Sequence, residues 1–313
     1  MEILEVTDTE YSNILSDPYH VFGSAEFNTL NSDRCESIHY LLFKDKKYRL
    51  GIIGGIKDHI FHSPFSAPFG GFSFLNEDIR IYYLDEALDL LYGWAKQHIY
   101  SAITITLPPA VYHESFLSKT INSLFRKNFI PDKVDLNYSF SLENFDDTYI
   151  NNIWHNARKN LKRSIGNQFH LFQCDTLEEK ATAYEIIRQN RQIQGFPLRM
   201  TFEQIIKTVK FIKADFFLLL NEKNNPLAAS IVFHVSPEIV LIIYWGDLPE
   251  HNHMRTMNFL SYKIFEFYKK AGIRIVDIGP STENSVPNHG LCEFKESIGC
   301  DISTKFTYRK EIV

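Results

Sequence analysis

The predicted order of strands and helices occurs twice along this chain. Residues 38–65 (IHYLLFKDKKYRLGIIGGIKDHIFHSPF) and residues 215–246 (DFFLLLNEKNNPLAASIVFHVSPEIVLIIYWG) each contain three runs of β-branched and aromatic residues separated by short polar turns. Such runs predict three consecutive strands. In each half there follow an amphipathic helix, a strand that ends at Pro108 or Pro280, another helix, and a closing strand, KVDLNYSFSL or DISTKFTYRK. The repeated order β-β-β-α-β-α-β predicts tandem domains.

This order also predicts the fold class. Strands interleaved with helices indicate mixed sheets with helices packed against them, which is an α/β or α+β class. The 313 residues are long for one domain and sufficient for two. The boundary is predicted in the acidic, polar stretch SLENFDDTYIN. We therefore predict domains over residues 1–145 and 146–313, the second opening with a helical region from about Thr148 to Ile165. The alternative is that the halves of any α/β protein look alike at this level, but the agreement of all seven elements favours a repeat.

Charge and cysteine usage limit the class of protein. The net charge of -5 argues against a protein that coats nucleic acid with its whole surface, so any basic site must be local. No C-x-x-C pair occurs, and His251 and His253 lie near Glu250 without the spacing of metal ligands, so no metal site is predicted. The first residues lack the pattern of a signal peptide, and the longest apolar runs are of strand length. These features predict a cytoplasmic protein without a transmembrane segment.

The highest local concentration of charge is basic. Arg158, Lys159, Lys162 and Arg163 lie in the run HNARKNLKRSIGNQFHLF, where positions 158 and 162, and 159 and 163, are four residues apart. Like charges at this helical spacing repel each other. The run is therefore either a solvated helix face or a site for an anion, such as the phosphates of a nucleotide, of RNA or of a lipid-linked precursor.

One lysine near the end of the chain has an unusual position. In NHGLCEFKESIGCD a helix from about Leu291 to Ile298 would bury Leu291, Phe294 and Ile298, with Lys295 on the margin of that stripe. Such an ammonium either reaches water along its own methylene groups or points at an anionic group in a cleft. The helix by itself favours the first interpretation.

These segments together resemble a known family. The basic run ARKNLKRSIG (157–166), the strand LIIYWG (241–246), the segment GIRIVDIGP (272–280) and the segment GLCEFKESIGC (290–300) are similar to the Fem-type transferases of the GNAT acyltransferase superfamily. The most specific match is Gly-Leu-x-x-Phe-Lys-x-x-x-Gly at 290–299. The resemblance covers the second half well and the first half only by element order, with SPFSAPFGGF (63–72) as a weaker match. It implies tandem GNAT-like domains of the acyl-CoA N-acyltransferase fold.

The resemblance also implies an activity and a site. Members transfer an acyl or aminoacyl group from an activated donor to an amine, which makes an acyltransferase acting on a cell-wall or other anionic precursor the leading hypothesis. Lys295 and Asp277 would be catalytic, the lysine stabilising the oxyanion or a phosphate and the aspartate orienting the amine or accepting its proton. The substrate would contact Phe294, Tyr244 and Trp245, and its phosphates would contact the four basic residues at 158, 159, 162 and 163.

The donor remains open between acyl-CoA and aminoacyl-tRNA. Domains that bind CoA carry a glycine-rich turn whose backbone N–H groups hold the pyrophosphate, whereas the corresponding residues 246–258 (GDLPEHNHMRTMN) contain one glycine. A coiled-coil insertion found in some tRNA-dependent members is also missing. No tightly bound cofactor is predicted, tRNA is a possible partner, and the oligomeric state is not determined by the sequence. The alternative function is a GNAT-fold module that binds an anionic ligand without catalysis.

Overall fold

The structure is a computed structural model that describes residues 1–77, 79–196 and 198–313. The strands are β1 (Glu2–Val6), β2 (Ser37–Lys44), β3 (Tyr48–Lys57), β4 (Ile60–Ser63), β5 (Phe72–Phe74), β6 (Ala102–Thr106), β7 (Ile130–Ser141), β8 (His170–Gln173), β9 (Ala214–Leu220), β10 (Pro226–His234), β11 (Ile239–Asp247), β12 (Ile275–Pro280), β13 (Thr282–Glu283), β14 (Val286–Pro287) and β15 (Asp301–Glu311). The α-helices are α1 (Asp8–Ile14), α2 (Ala25–Leu30), α3 (Ile81–Gln97), α4 (Glu114–Arg126), α5 (Tyr149–Asn152), α6 (His155–Ile165), α7 (Leu177–Gln194), α8 (Phe202–Thr208), α9 (Thr256–Lys270) and α10 (His289–Ser297). No helix within the described ranges has the length and apolar character that crossing a membrane requires.

The first compact unit, unit 1, consists of Met1–Leu136, Glu283–Val286 and Ser303–Val313. Its strands lie in the order β1-β2-β3-β4-β6-β15, with β5 paired to β3. Only β4 and β6 pair in parallel; the other neighbours are antiparallel. Helix α3 supplies a buried stripe of apolar side chains at helical spacing, which packs into the core of this unit: Leu84, Leu88 and Leu91.

The second compact unit, unit 2, consists of Asn137–Thr282 and Pro287–Ile302. Its strands lie in the order β8-β9-β10-β11-β12-β7. Here β11 and β12 are the parallel pair, and the other neighbours are antiparallel. Each unit therefore has a three-strand meander, a parallel neighbour and an antiparallel closing strand. The repeated element order and the mixed α/β class predicted from the sequence are confirmed.

The closing strands connect differently from the prediction, which assigned each to its own half of the sequence. In unit 2, residues 137–141 of β7 pair with β12, and in unit 1, residues 307–311 of β15 pair with β6. The compact units consequently differ from a division at residue 145, because residues 137–145 belong to unit 2 and residues 303–313 to unit 1. The physical reason is that hydrogen-bonded strand pairing, not proximity in sequence, decides which sheet a strand completes.

The helical region predicted from Thr148 to Ile165 is interrupted. Helices α5 and α6 are separated by Ile153 and Trp154, and Ile153 has an extended backbone. The interruption is stabilised because the Trp154 N–H donates to the carbonyl of Ser297 at 3.1 Å. Farther along, α7 begins with a capping box between Thr176 and Glu179 and ends at a left-handed Gly195, which are common start and stop signals of a helix.

Candidate active site

The parallel strands of unit 2 separate before they end. Strands β11 and β12 pair only from Ile239 to Leu241, opposite Ile275 to Asp277. Beyond this point β11 continues beside β10 and β12 continues beside β7. Irregularities in register accompany the separation, at residues 242–244 of β11 and between Asp277 and Gly279 of β12. Bulges of this kind bend a strand and re-aim its side chains, so a gap opens between the ends of β11 and β12.

Lys295 of α10 lies at the separated end of β12. Its Nζ donates to three successive backbone carbonyls, those of Ile278 at 3.0 Å, Gly279 at 2.8 Å and Pro280 at 3.1 Å. Three adjacent carbonyls reach one nitrogen because Gly279 has φ +73°, a conformation that strongly favours glycine. The side chain is 2% exposed. The three bonds satisfy all donors of the ammonium, which is how a charge can be buried at this position.

The buried face of α10 differs from the predicted one. Cys292, Lys295 and Ile298 are buried, whereas Leu291 and Phe294 are only partly buried. Lys295 therefore lies within the buried face and not on the margin of an apolar stripe, and of the two interpretations, the one in which its ammonium reaches water is wrong. The reason is that the acceptors for the ammonium come from β12, and helical spacing alone gives no information about them.

Asp277 and residues of β7 surround the same strand end. The Asp277 carboxylate is 1% exposed and accepts hydrogen bonds from the Asn137 amide and the Gly279 N–H, both at 2.8 Å. The ring of Tyr138 lies 5.3 Å from Lys295 Nζ, and the Tyr138 hydroxyl donates to Glu296 at 3.0 Å. Sequence reasoning missed Asn137 and Tyr138, because β7 was assigned to the other domain.

The electrostatics of the site follow from burial. Burial lowers the pKa of Lys295 to about 8, while the nearby Asp277 acts in the opposite direction and Arg191 lowers the pKa further.

Burial also lowers the pKa of Arg191, which lies in the last turn of α7. The Nε of Arg191 is buried and has no hydrogen-bond partner within the described part of the chain. A partly buried guanidinium without a partner favours an anionic ligand. Sequence reasoning missed this residue.

The predicted substrate-binding aromatic residues lie near these cations. Tyr244 and Trp245 are both 8% exposed, and they occupy the part of β11 that has separated from β12. Tyr244 and Arg191 are electrostatic neighbours. The rings of Trp245 and Phe294 meet edge to face with centroids 6.0 Å apart. The structure thus brings Tyr244, Trp245 and Phe294 to the same end of unit 2 as Lys295.

The basic run forms most of α6, and its members have different surroundings. The Arg158 guanidinium donates to the carbonyls of Asn151 at 2.5 Å and Ile153 at 3.4 Å, so it stabilises the end of α5. Lys159, Lys162 and Arg163 are exposed, and none of them takes part in an ion pair within the described residues. Three of the four predicted cations are therefore available on the surface for an anion, and Arg158 has a structural contact.

The segment before α9 has no glycine-rich turn. Residues Pro249–Met254 form a 3-10 helix, and Asp247 at the end of β11 accepts a hydrogen bond from the hydroxyl of Thr256, the first residue of α9. Asp247 is 8% exposed, and burial raises its pKa. The Asp247 carboxylate therefore lies beside the N-terminus of α9. This is the position at which a helix N-terminus would otherwise bind a pyrophosphate.

Comparison with solved structures identifies the class of fold. FemX matches with a TM-score of 0.70 and 12% identity over 99% of this chain and 97% of its own. L-PGS from Bacillus licheniformis matches with 0.60 and 12% identity over 96% and 90%. A tandem GNAT protein from the clavulanic acid biosynthesis pathway matches with 0.52 and 9% identity over 100% and 98%. The predicted Fem-like, GNAT-type architecture is thus confirmed at the level of the fold. No protein-family model and no curated protein matches the sequence.

Proposed function

We propose that unit 2 transfers an acyl or aminoacyl group from an activated donor to an amine acceptor. The observation that carries the proposal is the buried ammonium of Lys295 beside the gap between β11 and β12. When an amine adds to an ester or thioester carbonyl, the carbonyl oxygen gains a negative charge. Preorganised positive groups near that oxygen are worth about 3 to 4 kcal/mol. The three carbonyls hold the Lys295 charge in place, so it needs no reorganisation during the reaction.

The surrounding residues have proposed roles in the same reaction. Asp277 orients the attacking amine or accepts its proton, and it also maintains the backbone turn at Gly279 through its hydrogen bond to the N–H. Trp245 and Phe294, whose rings are in contact, provide an aromatic surface for the substrate, and Tyr244 contacts it from the neighbouring position on β11. Attack of the amine nitrogen forms the new C–N bond, and collapse of the tetrahedral state releases the thiol or ribose hydroxyl of the donor.

The cations of unit 2 indicate a substrate that carries phosphate groups. Arg191 has an unpaired buried Nε beside Lys295 and Tyr244, and α6 presents Lys159, Lys162 and Arg163 without counter-charges among the described residues. Phosphates of acyl-CoA, of aminoacyl-tRNA or of a phosphorylated precursor all satisfy this chemistry. The similarity of the fold to FemX and L-PGS supports a transferase.

The alternative is a module that binds an anionic ligand without catalysis. It is favoured by one specific observation, namely that all three donors of Lys295 are already used by backbone carbonyls. A binding module needs only the unpaired cations, whereas a transferase also needs the Lys295 charge at the reacting carbonyl. The two functions therefore differ in the consequence of removing that charge.

A transfer assay with two donors distinguishes these functions. The purified protein is incubated with radiolabelled acetyl-CoA, or with tRNA charged with radiolabelled amino acids, together with a panel of primary amines. We expect amide formation with one donor class, and we expect Lys295→Met to lower turnover per folded molecule at least tenfold while donor binding persists. Lys270→Met, at an exposed position, is the matched control. Binding of either donor without amide formation by the parent protein would favour the binding module.

A further inference from the structure

A serine, a histidine and a glutamate meet on one face of the unit 1 sheet. Ser37 and His39 are two residues apart on β2, and Glu5 lies on the neighbouring β1. The Ser37 Oγ is 3.0 Å from His39 Nε2, and the His39 Nδ1 is 2.6 Å from Glu5 Oε1. The two ring nitrogens therefore contact a hydroxyl on one side and a carboxylate on the other. This chain of contacts is the one by which a serine is activated for nucleophilic attack.

The carboxylate fixes the state of the imidazole. Glu5 Oε1 accepts the proton on His39 Nδ1, so the lone pair of the neutral ring lies on Nε2, which faces Ser37. The other oxygen, Glu5 Oε2, accepts a hydrogen bond from the Trp94 indole at 3.3 Å. The carboxylate is thus held from two sides, and Nε2 is oriented to take the proton of the serine hydroxyl.

The serine is accessible, and a second hydroxyl lies beside it. Ser37 is the first residue of β2 and is exposed, whereas His39 is largely covered by α3. The Tyr100 hydroxyl lies 3.1 Å from the same His39 Nε2. Ser37 and Tyr100 therefore compete for the Nε2 lone pair, and when the serine donates its proton there, the phenol proton is free for the oxygen of a bound carbonyl. The ring of Tyr100 stacks on His98, which provides an aromatic wall.

We propose that Ser37 and His39 are catalytic residues of a second site, positioned by Glu5, that hydrolyses small esters. The Ser37 oxygen attacks the ester carbonyl while His39 Nε2 takes the hydroxyl proton. The bond to the alcohol breaks, and the alcohol leaves with that proton. Water then attacks the acyl-serine with His39 as the base, which releases the carboxylic acid and restores the Ser37 hydroxyl. This site belongs to unit 1 and does not depend on the acyl transfer proposed for unit 2.

A covalent probe tests the proposal without any substitution. The full-length protein is treated with an alkyl fluorophosphonate, which labels activated serines, and the modified residue is located by peptide mass spectrometry. We expect one phosphonate on Ser37 and none on Ser32, an exposed serine of the same unit that has no histidine partner among the described residues. Label on another serine, or no label after prolonged treatment, would overturn the assignment.

Steady-state hydrolysis of p-nitrophenyl acetate gives the second test. Ser37→Ala and His39→Gln should each lower kcat at least tenfold, and Ser32→Ala should leave it unchanged. Glu5→Gln should lower kcat without changing KM, and Glu5→Asp should restore part of it, which a purely structural role would not produce. Melting temperatures measured in parallel identify any variant that is unfolded. An unchanged rate in folded Ser37→Ala would show that the background comes from other nucleophiles and would refute the site.

Discussion

The buried ammonium of Lys295 makes stability depend on pH in a direction that can be tested. In the folded protein, burial lowers the pKa of Lys295 to about 8, whereas an exposed lysine in the unfolded chain titrates at about 10.4. Between these values the unfolded chain binds more protons than the folded protein, so the free energy of unfolding rises with pH. Below about pH 8 both states are charged, and the folded state carries the full cost of burying the charge.

The magnitude follows from these two pKa values. Between about pH 7 and about pH 9.5, the titration of this group adds roughly 2 kcal/mol to the free energy of unfolding. Lys295→Met retains the apolar stem and removes the titrating group, so the difference between the parent protein and the variant should grow by that amount. At about pH 7 the variant should already be less stable. The substitution leaves three carbonyls without their donor, which destabilises the fold by about 1 to 3 kcal/mol for each carbonyl. It also removes the cost of burying the charge, which is roughly 3 kcal/mol.

The assay is urea unfolding followed by tryptophan fluorescence at several pH values, with the parent protein, Lys295→Met and Lys270→Met. The Lys270 side chain is 74% exposed and pairs with Glu266 at the surface, so its replacement removes a lysine charge without removing a buried one. Comparing the variants removes the contribution of all other titrating groups. Parallel curves for the parent protein and Lys295→Met over this range would show that the ammonium is not buried as described.

Other consequences can be tested in the same way. Turnover should fall as pH rises through about 8, because the proposed role needs the charged form of Lys295; a flat kcat profile would exclude it. Replacing Lys162 and Arg163 by glutamate should weaken substrate binding most at low ionic strength, and equal affinities there would identify a solvated face. Gly246→Ala should cost about 1 to 3 kcal/mol in urea unfolding, since its Cβ would lie 2.8 Å from a side chain of α7. Tyr268→Phe should lower the free energy of unfolding by about 1 to 2 kcal/mol, because the Tyr268 hydroxyl donates at 2.8 Å to the buried Asp215 carboxylate of β9. Unchanged urea midpoints would contradict the predictions for Gly246→Ala and Tyr268→Phe.

The meanders and helices were predictable because their signals are local. Runs of β-branched residues indicate strands, and apolar residues at helical spacing indicate helices. The exchange of closing strands was not predictable, because a strand pattern does not specify which neighbour it will pair with. The sequence around β7 and β15 is compatible with either sheet, and only the pairing of residues 137–141 with β12 and 307–311 with β6 decides between them.

The site was only partly predictable for a related reason. Lys295 and Asp277 came from a resemblance, but the burial of Lys295 depends on the backbone turn at Gly279. Arg188 and Arg191 look equivalent in the sequence of α7. In the structure, Arg188 forms a two-pronged ion pair with Glu185, while the buried Nε of Arg191 has no partner among the residues that the structure describes. Periodicity gives the side of a helix on which a residue lies, and it does not give the groups that the residue meets.

The difference between the units argues for placing the proposed acyl transfer in unit 2. In unit 1 the parallel pair β4 and β6 is followed by residues 64–71, and the Gly70 N–H donates to the Thr106 carbonyl at 2.8 Å. The chain itself therefore occupies the next position along β6, and Phe65 and Phe69 of the same segment are buried. A side chain at Gly70 would come within 2.9 Å of the Pro64 nitrogen, so the segment fits only with glycine there. In unit 2, strand β12 ends instead on carbonyls bound to the Lys295 ammonium. In unit 1, Lys57 and Lys305 donate to carbonyls of the segment that fills this position, whereas in unit 2 the Lys295 charge lies beside strands that separate, as addition to a carbonyl requires.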